Sequence, residues 1–178
     1  MSRVVWITGL SAAGKTTLAT AFAKYLRGRG QPVVLLDGDE LREVLGATTV
    51  HSREARLALA YQYVRLARML AKQEITVVIA TVALFKEIHS WNREHLPGYF
   101  EVYLRVPLTE LQRRDPKGIY RRFAAGEIAN VAGLDVPVDE PVAPHLLLEF
   151  RPDLTVDSML ESLIKQFDAH RVRPELQS

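Results

Sequence analysis

Residues 4–17 read VVWITGLSAAGKTT, and this stretch decides the fold. Its first five residues are apolar or β-branched, as in a strand covered on both faces. The next eight, Gly9, Leu10, Ser11, Ala12, Ala13, Gly14, Lys15 and Thr16, match G-x-x-x-x-G-K-[ST], the spacing of a phosphate-binding loop. Each position has a mechanical reason. Glycines let backbone N–H groups converge on phosphate oxygens. A helix starting near Lys15 turns its positive end toward the same phosphates. Lys15 carries a mobile charge to the β- and γ-phosphates, and Thr16 offers a hydroxyl to Mg²⁺. Strand, loop and helix stand in the required order, so a bound nucleoside triphosphate, ATP or GTP, is expected.

Outward from the loop, strand and helix signals alternate. Leu18, Ala21, Phe22, Tyr25 and Leu26 form one helical face, which Gly28 and Gly30 end. Strands are expected at 32–37, 76–81 and 99–106, with a short last one at 154–156. Helices are expected at about 40–45, 53–73, 85–95 and 108–114. Leu160, Leu163, Ile164 and Phe167 mark one more near the C-terminus. Helix 53–73 has two apolar faces, so it is either deeply buried or shared with a second subunit. Residues 115–144 show little periodicity and many Gly, Pro and charged residues, which suggests a functional lid. Alternating strands and helices imply an α/β fold with a parallel sheet covered on both sides. The chain reads as a single domain over 1–178, with the lid at about 115–144 and a loose tail at about 171–178.

Composition narrows the classes. The 178 residues are 48% hydrophobic and 25% charged, in the globular range. There is no cysteine, so disulfides, zinc–thiolate sites and cysteine nucleophiles are excluded. A net charge of +2 gives no push toward nucleic acid. No targeting or membrane segment stands out, so a cytoplasmic protein is expected, with neither membrane nor nucleic acid as partner.

Among triphosphate users, a GTPase should carry N-K-x-D, which this chain lacks. Asp115-Pro116-Lys117-Gly118 fits D-x-x-G formally but follows a charged helix rather than an apolar strand. A motor ATPase would place an acid at the tip of strand 76–81, which ends in Thr81. The acids stand instead at Asp37-Gly38-Asp39, after strand two. If the segment stays extended, Asp37 and Asp39 point the same way. One carboxylate can then orient Mg²⁺ and the other accept a proton from an acceptor hydroxyl. The bland alternative is a solvated turn with Asp39 capping a helix. Arg113, Arg114, Lys117, Arg121 and Arg122 are either a solvated face or a cluster that closes over triphosphate. His89 and His95 do not share a helix face, which speaks against a metal site. Trp6 reads as core.

Four stretches resemble the adenylylsulfate (APS) kinases: GLSAAGKTT (9–17), LDGDELR (36–42), RDPKGIYRRFAAGEI (114–128) and AGLDVPVDEP (132–141). The resemblance implies a P-loop nucleotide-kinase-like fold, commonly dimeric. It implies an enzyme using ATP and Mg²⁺ that transfers the γ-phosphate to the 3′-hydroxyl of adenylylsulfate. Residues 9–17, with Arg114, would hold ATP, and Thr16 and Asp37 would face the metal. Lys15, Asp37, Asp39 and Lys117 would carry the chemistry, Asp37 as base or metal-side acid. Arg42 and Arg56 would bind the acceptor's phosphate–sulfate group, with Asp39, Lys117 and Phe85 beside it. The departures lie on the acceptor side. His51 and Val131 stand where the family has aromatic residues that would sandwich adenine. Ala55 and Leu59 replace the Asp and Asn of D-R-x-x-N, and Ala83 and Leu84 replace the Ser and Pro of S-P-F. These departures, with Trp91-Asn92-Arg93 and residues 126–131, resemble a divergent branch, the cytidine diphosphoramidate kinases of capsule synthesis. A third reading is a pseudo-kinase that holds ATP without transferring phosphate.

Overall fold

The computed structural model describes residues 3–48 and 51–171; the expected loose tail, apart from Arg171, lies outside them. Five strands, β1 (Val4–Thr8), β2 (Val33–Asp37), β3 (Thr76–Thr81), β4 (Phe100–Arg105) and β5 (Leu146–Glu149), form a sheet in the order β2-β3-β1-β4-β5. Every neighbouring pair is parallel. The expected strand at 154–156 is absent. The last strand lies earlier, at β5, where two of its four residues are exposed. Its apolar run, Leu146 to Leu148, is only three residues long and not β-branched, so the strand gave no clear signal.

Among the described residues seven helices cover the sheet: α1 (Lys15–Gly28), α2 (Gly38–Val44), α3 (Arg53–Ala71), α4 (Lys86–His95), α5 (Leu108–Arg114), α6 (Ile119–Ala124) and α7 (Val156–Arg171). Alternate residues of the strands face opposite layers. Val5, Ile7, Val78, Phe100 and Val102 pack with α1, α5 and α7, and Tyr120 of α6 joins them. Val4, Trp6, Val77 and Ile79 pack with α2, α3 and α4. This is why β1 and β3 are wholly buried and apolar except for the threonines at their ends, Thr8, Thr76 and Thr81.

The two apolar faces of α3 merge into one core side. Leu59, Ala60, Tyr63, Val64, Ala67 and Ala71 are buried, while Leu57, Tyr61, Leu66 and Leu70 are half-buried and Met69 is exposed. The segment 115–144 is not structureless: it contains α6 and a bridge between Ala132 and Val136. Among the described residues, no helix is long and apolar enough to cross a membrane.

Candidate active site

The carboxyl ends of β1, β2 and β3 deliver residues 9–14, Asp37 and residues 82–85 to one edge of the sheet, the usual place for a ligand crevice. With the 115–144 segment opposite, they line a cleft of about 1070 Å³. Pockets for a single small ligand run to about 300–1,000 Å³. Ser11, Ala12, Ala13, Gly14, Lys15, Thr16, Thr17, Asp37, Asp39, Arg42, His51, Arg56, Phe85, Arg114, Lys117 and Val131 all line it. Gly9 and Leu10 do not. They form the loop's footing. A Cβ on Gly9 would stand 2.8 Å from the Leu104 carbonyl oxygen, and Leu10 packs its side chain on Gly133.

Three successive carbonyls of the loop are tied back by side chains. Lys15 Nζ donates to Leu10 O at 2.7 Å, Tyr120 Oη to Ser11 O at 2.9 Å and Arg114 Nη1 to Ala12 O at 3.3 Å. These ties hold Ala12 at φ 66°, a left-handed conformation that costs a non-glycine residue about 1–3 kcal/mol. Gly14, at φ 99°, caps α1, whose first turn carries no acid. The first N–H groups of α1 have no partner within the helix. The loop therefore points donors and a positive dipole end into the cleft. Burial, with Lys117 nearby, lowers the Lys15 ammonium to about 8, against the opposing pull of Asp39 and Asp37.

The two carboxylates separate by role. Asp37 Oδ1 accepts from the Asp39 N–H at 2.8 Å, and Oδ2 accepts from the Thr16 hydroxyl at 2.6 Å. Asp37, not Asp39, therefore caps α2. The chain is not extended beyond Asp37 either: Asp39 sits in the first helical turn, and the helix rather than strand alternation brings it to the cleft. Lys117 donates to Asp39 across the opening. The Thr16 and Asp37 oxygens are hard ligands of the kind Mg²⁺ takes, one or two from protein and the rest from phosphate and water. Among the described residues there is no cluster of three or more His, Asp or Glu able to hold a metal alone.

On the far side, Asp135 accepts from the N–H groups of Asn130 (2.7 Å) and Val131 (2.6 Å), which hold its carboxyl below the usual range. Arg56 donates to the Asn130 carbonyl, while its own Nε is buried without a partner. Val131 is a buried aliphatic side chain and His51 an exposed imidazole, in place of the aromatic pair the resemblance implied. The basic cluster divides. Arg114, Lys117 and Arg122 line the cleft. Arg113 turns outward onto Glu110 at 2.7 Å, and Arg121 does not line the cleft.

Sequence reasoning missed several contributors. Tyr120 gave only an aromatic inside a basic stretch. Tyr63, whose hydroxyl donates to Gly38 O at 3.2 Å and is pushed up to about 12 by burial, looked like core. Leu154 and Val156, taken for the ends of a strand, and Met159, which carried no reading, line the cleft at the start of α7.

Six cationic side chains, Lys15, Arg42, Arg56, Arg114, Lys117 and Arg122, thus surround two carboxylates, Asp37 and Asp39. The model of the adenylylsulphate kinase family matches residues 1–149. The chain is 38% identical over 163 residues to the cytidine diphosphoramidate kinase of Campylobacter jejuni, covering 92% of this chain and 95% of that one. It is 39% identical over 149 residues to a probable adenylyl-sulfate kinase of Archaeoglobus fulgidus, covering 84% and 96%. Among solved structures, the Mycobacterium tuberculosis APS kinase CysC, in complex with AMPPNP and APS, superposes with a TM-score of 0.86 at 31% identity. That match covers 94% of this chain and 98% of that one.

Proposed function

The chain belongs to the adenylylsulphate kinase family, and from that premise we propose that it transfers the γ-phosphate of ATP to the ribose 3′-hydroxyl of an activated nucleotide, adenylylsulfate in the first reading. The single observation that carries this is the meeting of a phosphate loop, six cations and two carboxylates in one cleft with space beyond the loop.

In the proposed reaction, the acceptor 3′-oxygen bonds to the γ-phosphorus as the bond from that phosphorus to the β–γ bridging oxygen breaks, releasing ADP. Residues 11–17 cradle the phosphates, with Arg114 over the loop. Lys15 leaves the Leu10 carbonyl for the phosphate oxygens, which also restore its charge. Thr16 and Asp37 would hold Mg²⁺, which supplies neutralisation of the β- and γ-phosphate charge. Asp37 is occupied on both oxygens, so Asp39 is the better proton acceptor. Lys117, paired with Asp39 before substrate binds, is in reach to follow the transferring group. Arg42 and Arg56 take the anionic end of the acceptor; the unpaired Nε of Arg56 supports this.

A second acceptor is favoured by one observation: neither His51 nor Val131, both lining the cleft, gives the base an aromatic sandwich. Cytidine diphosphoramidate, phosphorylated by the same chemistry in capsule synthesis, then replaces adenylylsulfate. The partly uncovered face of α3, with Met69 exposed, supports a homodimer. ATP as phosphate donor supports work in the cytoplasm.

ADP release is measured with ATP and Mg²⁺ against each acceptor. Turnover with adenylylsulfate supports the first reading, and turnover confined to the cytidine compound supports the second. ATP binding without turnover on either acceptor would favour a pseudo-kinase and sink both.

A further inference from the structure

The loop between β3 and α4, residues 82–85, forms one wall of the cleft, and Phe85 is its aromatic member. This loop is strained, with Ala83 at φ 23°. Such a backbone persists only where its surroundings fix it. One tie comes from within the sheet: the Thr8 hydroxyl donates to Val82 O at 2.5 Å. The others come from a single residue 55 or so positions away, at the closing end of the 115–144 segment. Asp139 N donates to Leu84 O at 2.9 Å, and Asp139 Oδ2 accepts from the Lys86 N–H at 3.2 Å.

Phe85 occupies the capping position of α4 and has no side chain able to cap it. Asp139 supplies the missing acceptor from a distant part of the chain. The same oxygen accepts from Arg53 Nη2 at 3.3 Å, and the Arg53 guanidinium lies over the Phe85 ring, 5.3 Å from its centre. Glu87, in the first turn of α4, holds Arg53 from the other side at 3.5 Å. The Asp139 carbonyl is anchored in turn. It receives His89 Nε2 at 3.0 Å, and His89 Nδ1 lies 2.8 Å from the fully buried Glu101. Arg53 begins α3, so this one cluster joins the starts of α3 and α4, the strained loop and the lid segment.

Resting on the reading of Phe85 as part of the acceptor wall, we propose that Asp139 and Arg53 are a positioning pair. They hold Phe85 and the 82–85 loop in place and so couple the seating of the lid segment to acceptor binding. Neither touches the reacting atoms. Their effect falls on the acceptor rather than on ATP, because the phosphate loop is tied by other side chains, Arg114 before the lid segment and Tyr120 at its opposite end.

The test compares Arg53→Gln, Arg53→Lys, Asp139→Asn, Phe85→Ala and the double variant Phe85→Ala/Arg53→Gln. Steady-state kinetics use whichever acceptor turns over, with the melting temperature taken in parallel. Arg53→Gln and Asp139→Asn are expected to raise the acceptor KM about five- to tenfold, the scale of one partly exposed charged contact, with ATP KM changed less than about twofold. Arg53→Lys recovers part of the loss. In the Phe85→Ala background, Arg53→Gln adds less than about twofold, since its target is gone. An unchanged acceptor KM in both single variants overturns the proposal. So does a parallel rise of both KM values with a falling melting temperature, which marks a merely structural role. An Arg53→Gln effect that persists in full without Phe85 also overturns it. If Phe85→Ala itself leaves the acceptor KM unchanged, the acceptor-wall reading fails first. A measurement without substrate stands beside these: hydrogen exchange across residues 84–89 should speed about tenfold in Asp139→Ala. Unaltered exchange there removes the tie, whatever the acceptor proves to be.

Discussion

The two ends of the cleft are built on different plans. The end proposed for ATP is made almost entirely from residues 9–17, contiguous in sequence, at the tip of a central strand buried on both faces. The end proposed for the acceptor is assembled from the start of α3, the 82–85 loop and residues 128–138 of the lid segment, brought together across nearly half the chain. A contiguous site is fixed by its own backbone, whereas an assembled site depends on ties between segments. The first tolerates little change. The second can be re-cut by exchanging wall residues while the chemistry stays, which is the difference seen between the motifs at 9–17 and the replacements at His51, Leu59, Ala83 and Val131.

If this division is right, the largest losses lie at the ATP end. Lys15→Met should cut kcat/KM by about 10³-fold or more, since a charge aimed at the transferring phosphate is removed. Its melting temperature should not fall, because the variant no longer buries an ammonium. A Lys15→Met enzyme that retains a tenth of its activity would falsify the assignment of the loop. Next comes Asp39→Asn, expected to lower kcat by about 10²-fold or more with little change in either KM. Asp37→Asn should instead raise the Mg²⁺ concentration needed for half-maximal rate. An exchange of these two phenotypes would reverse the roles given to the two carboxylates.

At the acceptor end, the effects should be gains as well as losses. Val131→Phe restores a ring where the family has one. Stacking is worth about 1–3 kcal/mol per base. The ratio of kcat/KM for adenylylsulfate over cytidine diphosphoramidate should therefore rise by about 5- to 150-fold. A ratio that stays flat would mean the base does not lie against this position. Smaller still is Tyr120→Phe, which removes one neutral hydrogen bond, to Ser11 O. About 0.5–1.5 kcal/mol corresponds to a rise of roughly 2- to 12-fold in the ATP KM, with the acceptor KM unmoved. A shift confined to the acceptor would break the proposed division of the cleft.

The same division governs what the sequence made legible. β1, β3 and α5 were readable to the residue, because runs buried on both faces and a short helix bounded by Pro107 and Asp115-Pro116 leave local signals. The loop was readable for the same reason: its chemistry needs particular residues at fixed spacing. β5 was not, since an edge strand that buries one residue in four has no periodic signature. Nor could spacing show that Asp139 caps a helix 53 positions upstream, or that Tyr120 reaches back to Ser11. Those partners are chosen by the tertiary fold. Asp37 and Asp39 fall between the two cases. Their proximity was legible, but the extended geometry expected for them was replaced by a helix start that Asp37 itself caps.

The smallest effect probes the ATP end through protons. In the free protein Lys15 is lowered to about 8, burial being the main cause and Lys117 the next. Between that value and the ordinary 10.5, the unfolded chain still holds a proton that the folded chain has released. The unfolded state then binds more protons, so this group makes stability rise with pH across about 8 to 10.5. Bound phosphates reverse the local balance by favouring the charged ammonium. Near pH 8.5, ATP binding should therefore take up a fraction of a proton, and near pH 6.5 Lys15 should contribute none. Titration calorimetry in two buffers of different ionisation enthalpy reads this directly, with Lys15→Met as the control that removes the uptake. Uptake that survives in Lys15→Met must come from the nucleotide or from another group. It would show that the buried ammonium is not what the phosphates meet first.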